Sequence, residues 1–270
     1  MVECTRVLRP ASSSGHSRPS FALSLACAAL TSCTQPAADD STLKLLRSIP
    51  PSNTNLALSF DGIYDYATTG TAEFPIGRGP QAISAWFESE NISGKHALIT
   101  LRKDEDSGVE LALQDGVLGA WRVYGNRVLL SATAAVSAGT WHHVAYTFDG
   151  TTNQLFIDGA LAGSSVNLPD ERTPTTSWLG TLDGTSDLFQ GMIDDFRVFN
   201  VTRSASQIQA EAAGMFSVAD PGLVLDLPCN EDTGSTVYDH SPLGNDGQLG
   251  DGVDQRMPSR VPSGSPDDTN

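Results

Sequence analysis

The chain is short of positive charge. Its 270 residues carry 16 Lys and Arg against 32 Asp and Glu, a formal charge of −16. Residues 1–33 hold three arginines and one Glu, so the remainder carries 13 basic and 31 acidic side chains, a charge of −18. A body this acidic repels phosphate backbones, which argues against a nucleic-acid partner. Long hydrophobic runs are also missing. No apolar stretch approaches the roughly 20 residues that a spanning helix needs, which excludes such a helix but leaves room for a lipid anchor. Gly and Pro, at 25 and 15, are ordinary, so collagen-like and low-complexity classes are excluded. The recognised enzyme signatures are absent too. There is no phosphate-cradling loop ending in Gly-Lys-Ser/Thr, no Gly-x-Ser-x-Gly elbow and no His-Glu-x-x-His.

What is present begins with an address. Arg6, Arg9 and Arg18 precede a ten-residue apolar stretch, Phe21 to Leu30, too short to span a bilayer but suited to a signal-peptide core. Leu30-Thr31-Ser32-Cys33 follows and resembles the bacterial lipobox, in which the Cys takes a diacylglycerol and becomes the new N-terminus. The expectation is an exported protein, either secreted or held in the cell envelope by lipid on Cys33 and by nothing else. Of four cysteines, Cys4 and Cys27 would then leave with the signal, and Cys229 would stand alone, unable to form an internal bridge. Residues 34–55 are polar with three prolines and read as a tether.

From Leu56 onward short alternating runs are broken by Asp-Gly pairs at 61–62, 115–116, 149–150, 158–159 and 183–184. Trp141 to Phe148 reads as a strand with bulk on both faces, hence central in a sandwich. Gln154–Ile157 and Ala160–Val166 continue it as a meander. Further strands are expected at Leu56–Phe60, Ala82–Glu88, His96–Arg102, Val109–Gln114, Val117–Tyr124, Ser177–Thr181 and Phe189–Phe199. One helix is indicated, where Ser204 and Gln207 form a capping box and Gly214 supplies a stop. The fold class is all-β: a two-sheet antiparallel sandwich with one short helix near the C-terminal end.

Five pieces in order carry a family resemblance. They are Ala57-Leu58-Ser59-Phe60-Asp61-Gly62 with Tyr64-Asp65-Tyr66; Ile83-Ser84-Ala85-Trp86; Gly139-Thr140-Trp141-His142-His143-Val144-Ala145; Leu155-Phe156-Ile157-Asp158-Gly159; and Gly191 to Asn200 with the helix after it. Together they resemble a laminin G-like domain of the concanavalin A-like jelly-roll superfamily, over residues 56–214. The resemblance implies two facing antiparallel sheets, a carbohydrate or extracellular protein as partner, and in many members one Ca²⁺. Residues 222–261 contain Tyr238-Asp239-His240-Ser241 and Gly244-Asn245-Asp246-Gly247, which resemble the opening of such a domain. Either they begin a repeat that stops early, or they dock back on the main domain, since the roughly 30 residues of 222–250 cannot bury a core alone. Ser259 to Asn270 is polar and is expected to be loose, with a flexible tail over 262–270.

Candidate site residues follow from chemistry. Sugar CH faces stack on exposed aromatic rings. Trp86 and Trp141 lie in core motifs, which leaves Trp121, Arg122 and Tyr124 as nominees for a ligand site. For Ca²⁺, which wants six to eight oxygens, Asp194 at the acidic position of the penultimate family strand and Asp61 in its turn are the nominees. Adjacent strand residues face opposite ways, so His142-His143 reads as packing and Asp194-Asp195 cannot act as a catalytic pair. Asp104-Glu105-Asp106 reads as a solvated loop. The leading expectation is a non-catalytic recognition module outside the cytoplasm that binds glycan or a surface protein. The alternatives are a divergent glycoside hydrolase or polysaccharide lyase, and a structural adhesion spacer. Overall acidity favours neutral or cationic ligands, or anionic ones bridged by Ca²⁺.

Overall fold

The computed structural model describes residues 55–69, 79–104, 107–167 and 174–266. The leader, Cys33 and residues 34–54 of the tether lie outside them, as do Glu105 and Asp106. Over the described residues the elements run β1 (Leu56–Asp61), β2 (Ala67–Thr69), β3 (Gln81–Ser89), β4 (Lys95–Asp104), β5 (Ser107–Gln114), β6 (Val117–Arg122), β7 (Arg127–Ala135), β8 (Trp141–Phe148), β9 (Asn153–Ile157), β10 (Ala160–Ser165), β11 (Thr176–Leu179), β12 (Gln190–Phe199), α1 (Ala205–Glu211), β13 (Leu223–Leu227), β14 (Thr236–Val237), β15 (Gly247–Leu249) and β16 (Ser259–Pro262). They form two antiparallel sheets. One runs β10-β9-β8-β3-β12-β1-β16, with β13 also on β12; the other runs β14-β15-β2-β11-β4-β5-β6-β7.

Turn chemistry sets these registers. Asp115 and Gly116 close β5 onto β6, and Asp158 and Gly159 close β9 onto β10. In both turns each central residue has φ between +51° and +79°, the two-residue hairpin geometry that Asp-Gly tolerates. Between the sheets, Leu58, Ile83, Phe87, Tyr146, Phe148 and Phe196 meet Leu101, Leu111, Leu113, Leu118 and Leu179 in one core. Bulk on both faces of β8 has a cause the alternation alone did not specify. Val144, Tyr146 and Phe148 point into that core, while Ala145 packs with Phe156 beneath Ile208 of α1. The helix starts as expected, with the Ser204 hydroxyl accepting from Gln207 N–H and the Gln207 side chain accepting from Ser204 N–H.

The segment after α1 enters both sheets. β13 lies along Phe196–Phe199 on the same edge of β12 that β1 occupies along Gln190–Ile193. β15 pairs with β2, and β16 pairs with β1. Asp239 ties this segment together: its carboxylate accepts from the N–H groups of Asp226, Ser241 and Asn245 and from the Ser241 hydroxyl. Arg260 of β16 meets Glu231 at 2.8 Å, with both side chains under a tenth exposed. The expectation of a loose stretch from Ser259 gives way here. Ser259–Pro262 has a full strand partner, and Ser263 and Ser265 both donate to Asp194 Oδ2, at 2.6 and 3.2 Å.

Buried charge joins helix, sheet and β13. Arg197 of β12 reaches Asp195 at 2.6 Å, Asp226 at 3.1 Å and Glu211 at 3.6 Å. Arg203 reaches Asp220 at 2.6 Å and Glu211 at 3.6 Å, and the Ser84 hydroxyl donates to Glu211. Burial pushes the Asp226 carboxyl up, partly countered by Arg197. Such networks add little over apolar packing while intact, but removing one partner strands a charge.

Candidate ligand-binding face

Side chains alternate across a strand, so every second residue of the second sheet points away from the core. The register places one outward row on seven of its strands: Gln248, Thr68, Trp178, Thr100, Glu110, Trp121 and Val128. Trp178 of β11 is half-buried. The Tyr66 ring packs against it with centroids 5.4 Å apart and planes at 48°. Gly184 closes in on another side: a Cβ there would lie 3.0 Å from Trp178 Cζ3, and its φ of +85° suits glycine.

Beside Trp178 opens a depression of about 530 Å³ whose lining includes Arg102, Lys103, Val123, Thr176, Asp183 and Thr185. Its far wall is the loop after β11, held by its own hydrogen bonds. Asp183 Oδ1 accepts from Thr185 N–H, the Thr185 hydroxyl and Ser186 N–H, at 2.9 to 3.0 Å. Burial alone would raise the Asp183 carboxyl, but these donors outweigh it and hold it below the usual range. Arg102 Nη1 donates to Leu182 O at 3.2 Å, tying the loop to β4.

One strand further along the row sits Glu110, 1% exposed. Lys95 Nζ lies 2.6 Å from its Oε2 and 3.0 Å from Asp187 Oδ2. Its other oxygen, Oε1, has no hydrogen-bond partner. Burial drives this carboxyl up to about 7, against the pull of Lys95. Register puts Glu110 two strands, roughly 10 Å, from Trp178.

A family model described as the concanavalin A-like lectin/glucanases superfamily matches residues 61–209, more than half of the chain. The chain belongs to this superfamily. No curated protein matches it. Among solved structures, it is similar to a candidate carbohydrate-binding protein from Bacteroides ovatus, with a TM-score of 0.60 at 14% identity over 80% of this chain. The chain spans 62% of that protein's length. It is also similar to the heptameric SAP-like pentraxin of Limulus polyphemus, with a TM-score of 0.50 at 15% identity over 63% of this chain and 91% of that one. At these identities the likeness shows the shared fold.

On this concanavalin A-like frame the nominated residues fall in different places. Trp121 is 5% exposed, which corrects the expectation of a free ring. It does point outward, but Lys95 Nζ lies 5.3 Å from its centroid, and it is seated over Gly119, where a Cβ would lie 2.6 Å from its ring. Arg122 ends β6 half-buried, and Tyr124 opens a 3-10 turn over Tyr124–Asn126, so the strand stops two residues earlier than expected. Val123, between them, lines the depression. Trp178 had not been nominated. The signal was available in the alternation of strand 177–181, where Ser177 and Leu179 turn inward and Trp178 must turn outward.

The metal nominees do not combine. Asp61 is opposite Gln190 in the register, four residues along β12 from Asp194, a separation of roughly 13 Å. Asp61 Oδ1 accepts from the N–H groups of Ile63, Tyr64 and Asp65, and Asp194 is occupied by Ser263, Ser265 and Asp195 N–H. These oxygens make a turn and a clasp, which does not fit a shared Ca²⁺ site. Among the described residues no group of three or more His, Cys, Asp or Glu is placed to hold a metal ion. Asp194 and Asp195 also sit at a bulge in β12, where the register against β3 shifts and Asp195 has φ +51°.

His142 and His143 have separate surroundings. His143 is fully buried with its ring 5.3 Å from that of Trp86. His142 Nε2 accepts from Ser137 N–H at 3.3 Å, which leaves the proton on Nδ1, 2.9 Å from Asp158 Oδ2. Trp86 is buried as expected, whereas Trp141 is half-buried, with its Nε1 3.1 Å from the place a Cβ on Gly264 would take.

Proposed function

We propose that the chain is a non-catalytic carbohydrate-recognition module that takes sugar on the outer face of its second sheet. The observation that carries this reading is the partly exposed Trp178, set by Tyr66 and Gly184 beside a depression of about 530 Å³ with polar walls. A fixed aromatic face beside a few oriented polar groups is what a saccharide needs: the ring takes the CH face and the polar groups take hydroxyls. The carboxylates nearby have other duties. Asp183 organises its loop, and Glu110 lies beneath Lys95. That favours binding over glycoside hydrolysis, which needs two carboxyls facing one bond. The similarity to a candidate carbohydrate-binding protein points the same way. Export, with a lipid anchor on Cys33, belongs to the proposal and rests on the Leu30-Thr31-Ser32-Cys33 sequence. A glycan array tests the binding role. Wild type should retain at least one saccharide and Trp178→Ala should lose it by tenfold or more; an array empty for both contradicts the reading.

A further inference from the structure

We propose that one wall of this depression is a proton-operated latch: a proton on Glu110 keeps the loop from Thr181 to Asp187 closed on the sheet, and its loss lets the loop come away. This rests on the reading of the Trp178 face as a sugar site and adds its regulation. The loop supplies Leu182, Asp183 and Thr185 to the lining. Backbone bonds from Gly180 N–H to Leu98 O and from Ala97 N–H to Asp187 O fix where it leaves and rejoins the sheet. Among side chains, its far end is held by one ammonium. Lys95 Nζ lies 2.6 Å from Glu110 Oε2 on β5, 3.0 Å from Asp187 Oδ2 on the loop and 3.1 Å from Asn126 Oδ1. Three oxygens thus take its three protons.

The charges do not balance when both acids are ionised. Sharing one ammonium puts the two carboxylates within about 6 Å of each other, where like charges repel and favour a proton on one of them. Glu110 is the one that keeps it. It is 1% exposed and its Oε1 has no partner, whereas the Asp187 side chain is 26% exposed. Burial pushes Glu110 up to about 7 against the pull of Lys95, and the Asp187 charge adds to the rise. Once Glu110 ionises, Oε1 needs a donor that the closed site does not supply. Glu110 is fixed in a strand, while Asp187 stands in a loop at φ +51°, so the loop end yields and water reaches Glu110. The wall carrying Asp183 and Thr185 then loses its fixed place, and a saccharide is held best below neutrality. Other ionisable neighbours are Arg122 of β6, opposite Val109 in the register, Arg102, whose Nη1 donates to Leu182 O, and Asp183, turned to Thr185 and Ser186. His96 stands next to Lys95, with its ring nitrogens on Leu188 O and Ser93 O. Histidines in general change charge between about pH 5 and 8, so a variant has to separate His96 from Glu110.

Hydrogen exchange of the whole chain tests this without sugar, read by mass spectrometry across a pH series spanning neutrality and corrected for the intrinsic rate. Protection over residues 181–187 should fall threefold or more relative to the buried strand β8, with a midpoint near pH 7. Glu110→Gln keeps an acceptor for Lys95 and cannot ionise, so its loop should hold the low-pH protection throughout. His96→Gln should show the wild-type fall. Flat protection in wild type, the same fall in Glu110→Gln, or its loss in His96→Gln overturns the latch; the wild-type and His96→Gln arms decide it even if Glu110→Gln fails to fold. An empty glycan array would contradict the sugar face and leave this measurement unaffected.

Discussion

The Tyr66 hydroxyl donates to Asp251 Oδ2 at 2.6 Å, across 185 residues of sequence. Tyr66 is the ring that props Trp178, so the segment after α1 reaches into the geometry of the candidate site. Burial and the Asp251 acceptor both raise the Tyr66 phenol above its ordinary value, keeping it a donor. Tyr66→Phe keeps the ring and removes the bond. It should cost about 1 kcal/mol, a fall of about 3 °C in melting temperature, and weaken sugar binding. Unchanged binding in a folded Tyr66→Phe protein would show that Asp251 has no hold on the face.

Removing everything after Gly214 takes β13 to β16 away from both sheets. Leu225, Leu227, Val237 and Leu249, each at most 1% exposed, leave the core with them. Each such side chain contributes about 1.5–3 kcal/mol when buried, together more than the stability of an ordinary domain can spare. A chain ending at Gly214 should be insoluble or show no cooperative melting. Melting at the full-length temperature would mean that these strands add nothing.

Glu211 sits 1% exposed between Arg197 and Arg203. Glu211→Ala should lower stability by about 3–5 kcal/mol, because two buried guanidiniums lose a counter-charge together. Asp254→Ala, on the exposed surface, should stay within about 0.5 kcal/mol of wild type. Urea titration of the two variants measures both, and equal small losses would contradict the role given to the network.

The pH dependence has a definite sign. Burial lifts Glu110 to about 7 and Asp65 to about 6, from ordinary values of 4.5 and 3.8. Between pH 4 and 7 the folded chain therefore keeps protons that the unfolded chain has released, and stability falls as pH rises through that window. Asp61 and Asp183 act oppositely. Burial raises each carboxyl, but turn N–H donors more than offset it and lower both, so their contribution is lost as pH falls below about 4. Stability should peak near pH 4. In Glu110→Gln the decline between pH 5 and 7.5 should be shallower, and an identical slope would remove Glu110 as its source.

Local rules carried much of the architecture. The Asp-Gly hairpins at 115–116 and 158–159, the strand Trp141–Phe148 and the Ser204–Gln207 cap depend on neighbouring residues, and each stands where its chemistry puts it. β7 escaped notice because Arg127 to Ala135 is mostly exposed, with Leu129, Leu130 and Ala132 as its buried residues, and shows weak alternation. The site was harder to read. Whether an outward tryptophan is free depends on what stands over it in three dimensions: Lys95 covers Trp121, while Trp178 borders open space. Ser263 and Ser265, which clasp Asp194, lie some 70 residues away, so no local pattern could assign that carboxylate to a clasp.

We propose sugar on the outer face of the second sheet. Amide and indole NMR shifts followed during titration with an array-selected saccharide test it most directly. The Trp178 indole N–H, Arg102 and Thr185 should move in step while the buried Trp86 indole stays still. Shifts confined instead to the exposed Ile63–Tyr64 turn or to Met215 and Val218, with Trp178 unmoved, would contradict it.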